Sequence, residues 1–79
     1  MNTKKLRTVF AESLELDLSL VTDNLTYNSV PEWDSVGHMA LIAEIEDTFD
    51  IMLDTDDVLD ISSFAKTKEI LTKYDIFFE

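Results

Sequence analysis

No cysteine occurs anywhere in the 79 residues, so a disulfide framework, a thiolate zinc site and a thiol nucleophile are all excluded. That absence fits a reducing compartment. No apolar run approaches the roughly 20 residues that a membrane span needs, and the first residues lack the long hydrophobic segment of a signal peptide. The expectation is a cytoplasmic protein with no membrane span. Basic residues are scarce as well: six Lys and Arg stand against 17 Asp and Glu, for a formal net charge of −11. Between Thr8 and Ala65 there is no Lys or Arg at all, against fourteen Asp and Glu. Such a middle repels nucleic acid and anionic lipid, and attracts proteins that carry basic patches. Its self-repulsion also favours a monomer.

High net charge can mean disorder, but 46% of the residues are hydrophobic and they recur at helical spacing. A chain of this length is expected to form one domain, spanning residues 1–79, near the size at which a single core only just offsets chain entropy. The opening segment places Leu6, Val9, Phe10 and Leu14 on one stripe, which predicts an amphipathic helix over about Thr3 to Leu16. Lys4, Lys5 and Arg7 sit in its first turns, where the helix dipole disfavours positive charge, so tertiary packing must hold it. From Asp17 to Trp33 the helical period is lost, leaving a loop of about seventeen residues, longer than a compact domain usually carries. Leu18, Leu20, Val21, Leu25 and Tyr27 are the expected apolar anchors of that loop. Trp33 is expected to pack as a lid over the following helix terminus, with contact to a partner or to a group attached beside it as the alternative.

The single proline, Pro31, closes the loop. Asp34 or Ser35 then supplies a side chain able to cap free backbone N–H groups, and a long proline-free stretch runs on to Phe49. At 100° per residue from Val36, the set His38, Leu41, Ile42, Ile45 and Phe49 falls between roughly 140° and 240°, a normal core-facing stripe. Val36, Met39, Ala40 and Ala43 cluster within about 60° of zero, so the helix carries a second apolar strip that the same core cannot bury. With Glu44, Glu46 and Asp47 beside it, that strip is a candidate docking surface. Gly37 gives up roughly 1 kcal/mol of helix propensity relative to alanine and leaves the first turn bare for close approach.

Beyond Phe49, acidic residues at 54, 56 and 57 favour a short helix start, and Val58 with Ile61 forms an i, i+3 apolar pair. A last helix is predicted from about Ser63 to Tyr74, with Phe64, Thr67, Ile70, Leu71 and Tyr74 as its stripe. The tail Asp75-Ile76-Phe77-Phe78-Glu79 is greasy for a terminus, and either folds back on the bundle or makes a contact of its own, including a dimer contact.

Asp34-Ser35-Val36 at the head of an acidic helix, after a long loop in so short a chain, resembles the Asp-Ser-Leu signature of acyl carrier proteins. The order of elements through nearly the whole chain agrees: helix, long loop, the Asp-Ser-Val helix, the short segment ending Val58-Leu59-Asp60-Ile61, and a last helix. The resemblance implies an all-α fold, a small antiparallel bundle of three main helices plus one short helix, with no catalytic residue of its own. It implies that Ser35 bears a covalent 4′-phosphopantetheine arm derived from coenzyme A and installed by a phosphopantetheinyl transferase. Asp34 and Val36 would flank the attachment site, and Val58 and Ile61 would line the path of the arm and the acyl pocket; a compatible reading makes both core residues that close one end of the bundle. The implied function is to carry acyl groups as thioesters, with the core transiently sheltering the chain, for enzymes of fatty-acid, polyketide or specialised lipid or saccharide synthesis. Partners with basic docking patches would meet Val36, Met39, Ala40, Ala43, Glu46 and Asp47. Ala40 stands where family members often have an acid. An aminoacyl or peptidyl carrier on the same scaffold, and an unmodified acidic helical adaptor in which Ser35 is only a cap, are the alternatives.

Two other chemistries fit less well. A serine with a histidine three residues on invites a Ser-His-Asp hydrolase reading. His38 is directed to the core side, however, and neither a Gly-x-Ser-x-Gly elbow nor an oxyanion loop is present. Asp54, Asp56, Asp57 and Asp60 lack the glycine and terminal glutamate of an EF-hand loop, so no metal site is expected beyond weak surface binding of divalent cations.

Overall fold

Hydrophobic periodicity translates into four α-helices: α1 (Asn2–Leu14), α2 (Ser35–Phe49), α3 (Thr55–Asp60) and α4 (Phe64–Thr72), with a 3₁₀ turn at Leu18–Leu20. The structure, a computed structural model, describes residues 2–78, and its Cα radius of gyration is 11.1 Å. Among the described residues there is no strand; the one β-type pairing is an isolated bridge between Thr26 and Ser63. The molecule is thus a small all-helical bundle.

The stripe of α1 is buried as predicted, through Leu6, Val9, Phe10 and Leu14. The helix stops at Leu14, two residues early. Glu15 turns left-handed at φ 56°, and Leu16 N–H reaches back to Ala11 O at 2.9 Å, a C-terminal cap built without glycine. Asp50 repeats the device at the end of α2, with φ 55° and its N–H bonded to Glu46 O. Leu41, Ile42 and Ile45 of α2 and Phe64, Thr67, Ile70 and Leu71 of α4 complete the helical part of the core. Thr67 tolerates full burial because its hydroxyl donates to Ser63 O at 2.7 Å. Phe10 meets Trp33 edge-on at 5.4 Å and Phe64 edge-on at 5.1 Å, an aromatic chain joining α1, the loop and α4.

The long loop is anchored differently from the expectation. Val21 and Leu25 are buried, but Leu18 is 42% and Leu20 49% exposed, and Tyr27 is also partly open to solvent. What holds the 3₁₀ turn is its backbone: Arg7 donates from Nε to Val21 O at 3.1 Å and from Nη2 to Leu18 O at 2.9 Å. Lys68 pairs with Asp23 at 2.8 Å and ties the loop to α4. Trp33 packs over the start of α2, where its Nε1–H donates to His38 Nδ1 at 3.0 Å. It is 0% exposed and lies in the interior, which overturns the alternative that it touches a partner or the arm.

The tail folds back. Ile76 is buried, Phe78 meets the Phe49 ring at 6.4 Å, and Asn2 Nδ2 donates to Phe77 O at 2.9 Å. Glu79 lies outside the described residues.

Candidate functional site

The chain turns into α2 through a tightly bonded loop. Trp33 N–H donates to Val30 O at 3.2 Å, and Trp33 O accepts from Asn28 N–H at 3.0 Å. Asp34 follows in extended conformation, and its Oδ1 accepts from Gly37 N–H at 2.9 Å while its carbonyl accepts from His38 N–H at 2.7 Å. The capping choice that the sequence left open is thereby made: Asp34 is the N-cap and Ser35 is the first helical residue. Ser35 is exposed, and among the described residues its hydroxyl has no hydrogen-bond partner. The first-turn N–H groups of Ser35 and Val36 are also without a partner among the described residues, so the positive end of a 15-residue helix lies next to a free hydroxyl.

Gly37 is explained from within the molecule. A Cβ at this position would stand 2.2 Å from the Glu32 carbonyl oxygen and 3.1 Å from Leu14 Cδ2. The space that sequence reasoning reserved for a partner or an arm is occupied by the loop's own backbone and by α1.

Behind Ser35, His38 is tied on both ring nitrogens. Trp33 Nε1–H donates to His38 Nδ1 at 3.0 Å, and His38 Nε2 donates to Val58 O at 2.9 Å. Because an indole N–H is a donor only, Nδ1 is the acceptor and the ring proton sits on Nε2. The imidazole stacks on the indole at 6.2 Å with an 18° interplanar angle, and Tyr27 stands edge-on to both rings. No hydrogen bond joins His38 to Ser35 among the described residues, so neither ring nitrogen serves that hydroxyl as a base.

A groove of about 510 Å³ opens beside this pair between α2 and α3, lined by Tyr27, Ser35, His38, Met39, Val58, Leu59, Ile61 and Ser62. Ser35, Val58 and Ile61 therefore share one groove. Ile61 is buried and Val58 half-buried, so each also serves the core. Sequence reasoning missed Tyr27, Leu59 and Ser62 as wall residues. Nothing in a 3.6-residue period signals them, because two lie in connecting segments and Leu59 falls off the apolar pair of α3.

On the outer side of α2, Val36 is 77% and Met39 75% exposed, and Ala40, Ala43 and Asp47 are exposed with them. Glu46 has a task inside the chain: its Oε2 accepts from Leu53 N–H at 2.9 Å, which fixes the turn after α2.

The acidic cluster of α3 also divides. Asp57 is only 6% exposed, so it stands apart from the surface expected to bind divalent cations weakly. Its carboxylate accepts from Lys73 Nζ at 2.6 Å and from Tyr74 Oη at 2.5 Å. The bond from Lys73, with help from Tyr74, holds the Asp57 carboxyl below the usual carboxylate range, and Asp57 in turn raises both Lys73 and Tyr74. Tyr74 Oη also accepts from Asp54 N–H at 3.1 Å at the start of α3. Among the described residues no group of three or more His, Cys, Asp or Glu is arranged to hold a metal ion, and no helix is long and apolar enough to cross a membrane. The chain matches no protein-family model and no curated protein sequence.

Proposed function

We propose that this protein is a carrier: Ser35 is the attachment point of a 4′-phosphopantetheine arm, and the arm's acyl cargo is presented to partner enzymes across the outer face of α2. The observation that carries the reading is the division of labour at the head of α2. Asp34 makes the capping bond to Gly37, so the adjacent Ser35 hydroxyl is exposed and without a partner among the described residues. A serine needed only as a cap would make that bond itself.

The residues present fit such a group. The first-turn N–H groups of Ser35 and Val36 and the helix dipole stabilise an added phosphodiester charge. The groove walls, Val58 and Ile61 among them, offer an apolar bed for the arm beside its attachment point. In the attachment step the Ser35 oxygen forms a bond to the β-phosphorus of coenzyme A, and the pyrophosphate bond breaks. Adenosine 3′,5′-bisphosphate leaves with the bonding electrons, and the hydroxyl proton passes to a base of the transferase. When bound, the arm supplies a thiol able to hold an acyl group as a thioester. The exposed Val36, Met39, Ala40 and Ala43 strip with Asp47 gives partner enzymes an apolar contact and an acidic border, which raises encounter rate more than affinity.

Incubation with coenzyme A and a broad-specificity phosphopantetheinyl transferase tests the reading by intact mass. The parent should gain one phosphopantetheine and Ser35→Ala none. No gain in the folded parent would leave the acidic adaptor as the better account.

A further inference from the structure

The interior behind the head of α2 is built of packed aromatic rings. Trp33 is 0% exposed, and its ring is edge-on to Phe10, which is edge-on in turn to Phe64. Ile61 and the His38 ring are among the walls of the groove, and the His38 ring stacks on Trp33 behind it. The bond from His38 Nε2 to Val58 O ties one wall of the groove to the other, α2 to α3, at 2.9 Å. A hydrocarbon chain passing inward between those helices would part that bond. Moving His38 would also strip Trp33 Nε1–H of its acceptor, leaving an indole N–H unpaired on a side chain that is 0% exposed.

The outer groove remains open. Tyr27, Met39, Val58, Leu59 and Ile61 give it apolar walls, and its only other side chains are His38 and the hydroxyl-bearing Ser35 and Ser62. Among the described residues no carboxylate lines it, so an ammonium group seated there would be desolvated without a counter-ion. A few carbons of uncharged acyl chain meet neither obstacle.

Resting on the carrier reading above, we infer that the cargo is a short, uncharged acyl group seated in the outer groove, and that the Trp33–His38–Val58 chain of hydrogen bonds keeps longer chains out of the interior. This narrows the sheltering role that the resemblance implies. Each methylene buried changes the ratio of sheltered to exposed cargo by about fourfold. A chain drawn into the core would therefore gain protection with every added carbon, and a chain confined to the outer groove would stop gaining after the first few.

The test loads the full chain from acetyl-, butyryl-, octanoyl- and tetradecanoyl-coenzyme A with the transferase. Hydroxylamine cleavage of each thioester is then timed against the same acyl group on free pantetheine, and the Trp33 indole N–H resonance is followed. Protection should rise from acetyl to butyryl and then level off, with the indole resonance unmoved across the series. A glycyl thioester should gain less protection than acetyl, and Leu59→Asp, at an exposed position, should abolish butyryl protection. Protection that climbs through tetradecanoyl as the indole resonance shifts would overturn the size limit and leave the carrier reading standing. Glycyl protection equal to acetyl would overturn the preference for uncharged cargo, and butyryl protection surviving Leu59→Asp would remove the seat from the groove. Failure of the folded chain to load at all would overturn the carrier reading and the cargo inference together.

Discussion

Replacing Gly37 by alanine sets two physical effects against each other, and the structure determines which wins. Helix propensity alone favours alanine by at most about 1 kcal/mol at Gly37, in the first turn of α2. Against it stands a Cβ 2.2 Å from the Glu32 carbonyl oxygen, with Leu14 Cδ2 at 3.1 Å on another side. A relaxed carbon-to-oxygen contact is about 3.3 Å, so the Glu32 carbonyl would have to retreat by about 1 Å. Backbone cannot rotate aside as a side-chain end does. Glu32 also precedes Trp33, which is held by Phe10, Tyr27 and His38. Forced shifts of this kind cost about 1–3 kcal/mol, and the upper end applies where the obstacle is main chain. The net expectation is a loss of about 2 kcal/mol, or about 10 °C in Tm for a domain of this size. Urea unfolding followed by Trp33 fluorescence and by far-UV circular dichroism measures it. Ala43→Gly, at an exposed site on the same helix, isolates propensity and should cost about 1 kcal/mol. A Gly37→Ala protein as stable as the parent, or more stable, would refute the close approach of Glu32.

The assignment of Asp34 as cap makes Asp34→Ala lose about 1 kcal/mol in the same urea assay, while Ser35→Ala should stay within about 0.5 kcal/mol of the parent; the reverse order would return the cap to Ser35. His38→Leu removes the partners of Trp33 Nε1–H and Val58 O, and the two unsatisfied groups should cost about 2–4 kcal/mol together. Amide exchange would show the loss, with α3 opening before α1. Because the folded-state pKa of Asp57 is depressed, its stabilising effect is fully present above the unfolded carboxylate value near 4 and disappears as pH falls through the folded value. Lys73 and Tyr74 are raised instead, so their effect is present below about pH 10 and is lost as pH climbs through the folded values. The stability gap between the parent and Asp57→Asn should therefore be flat from about pH 6 to 9 and close at both extremes, and a gap independent of pH would mean that the Lys73 and Tyr74 bonds do not form.

Period and composition were enough to place the helices and choose their faces. Leu6, Val9, Phe10 and Leu14, like Phe64, Thr67, Ile70 and Leu71, lie where a 3.6-residue repeat puts them, and the second apolar strip of α2 is exposed because one helix cannot turn two faces to one core. The junction at Asp34 and Ser35 was legible as a helix start. Which of the two residues caps was not, since both side chains are competent and the choice depends on loop geometry. The same limit hid the burial of Trp33, the Glu32 carbonyl against Gly37, the exposure of Leu18 and Leu20, and the pairing of Asp57 with residues 16 and 17 positions away. Periodicity reports the direction a side chain takes from its own helix axis. Contacts between a loop and a distant element depend on where the packed helices bring that loop, and that is decided only when the whole core closes.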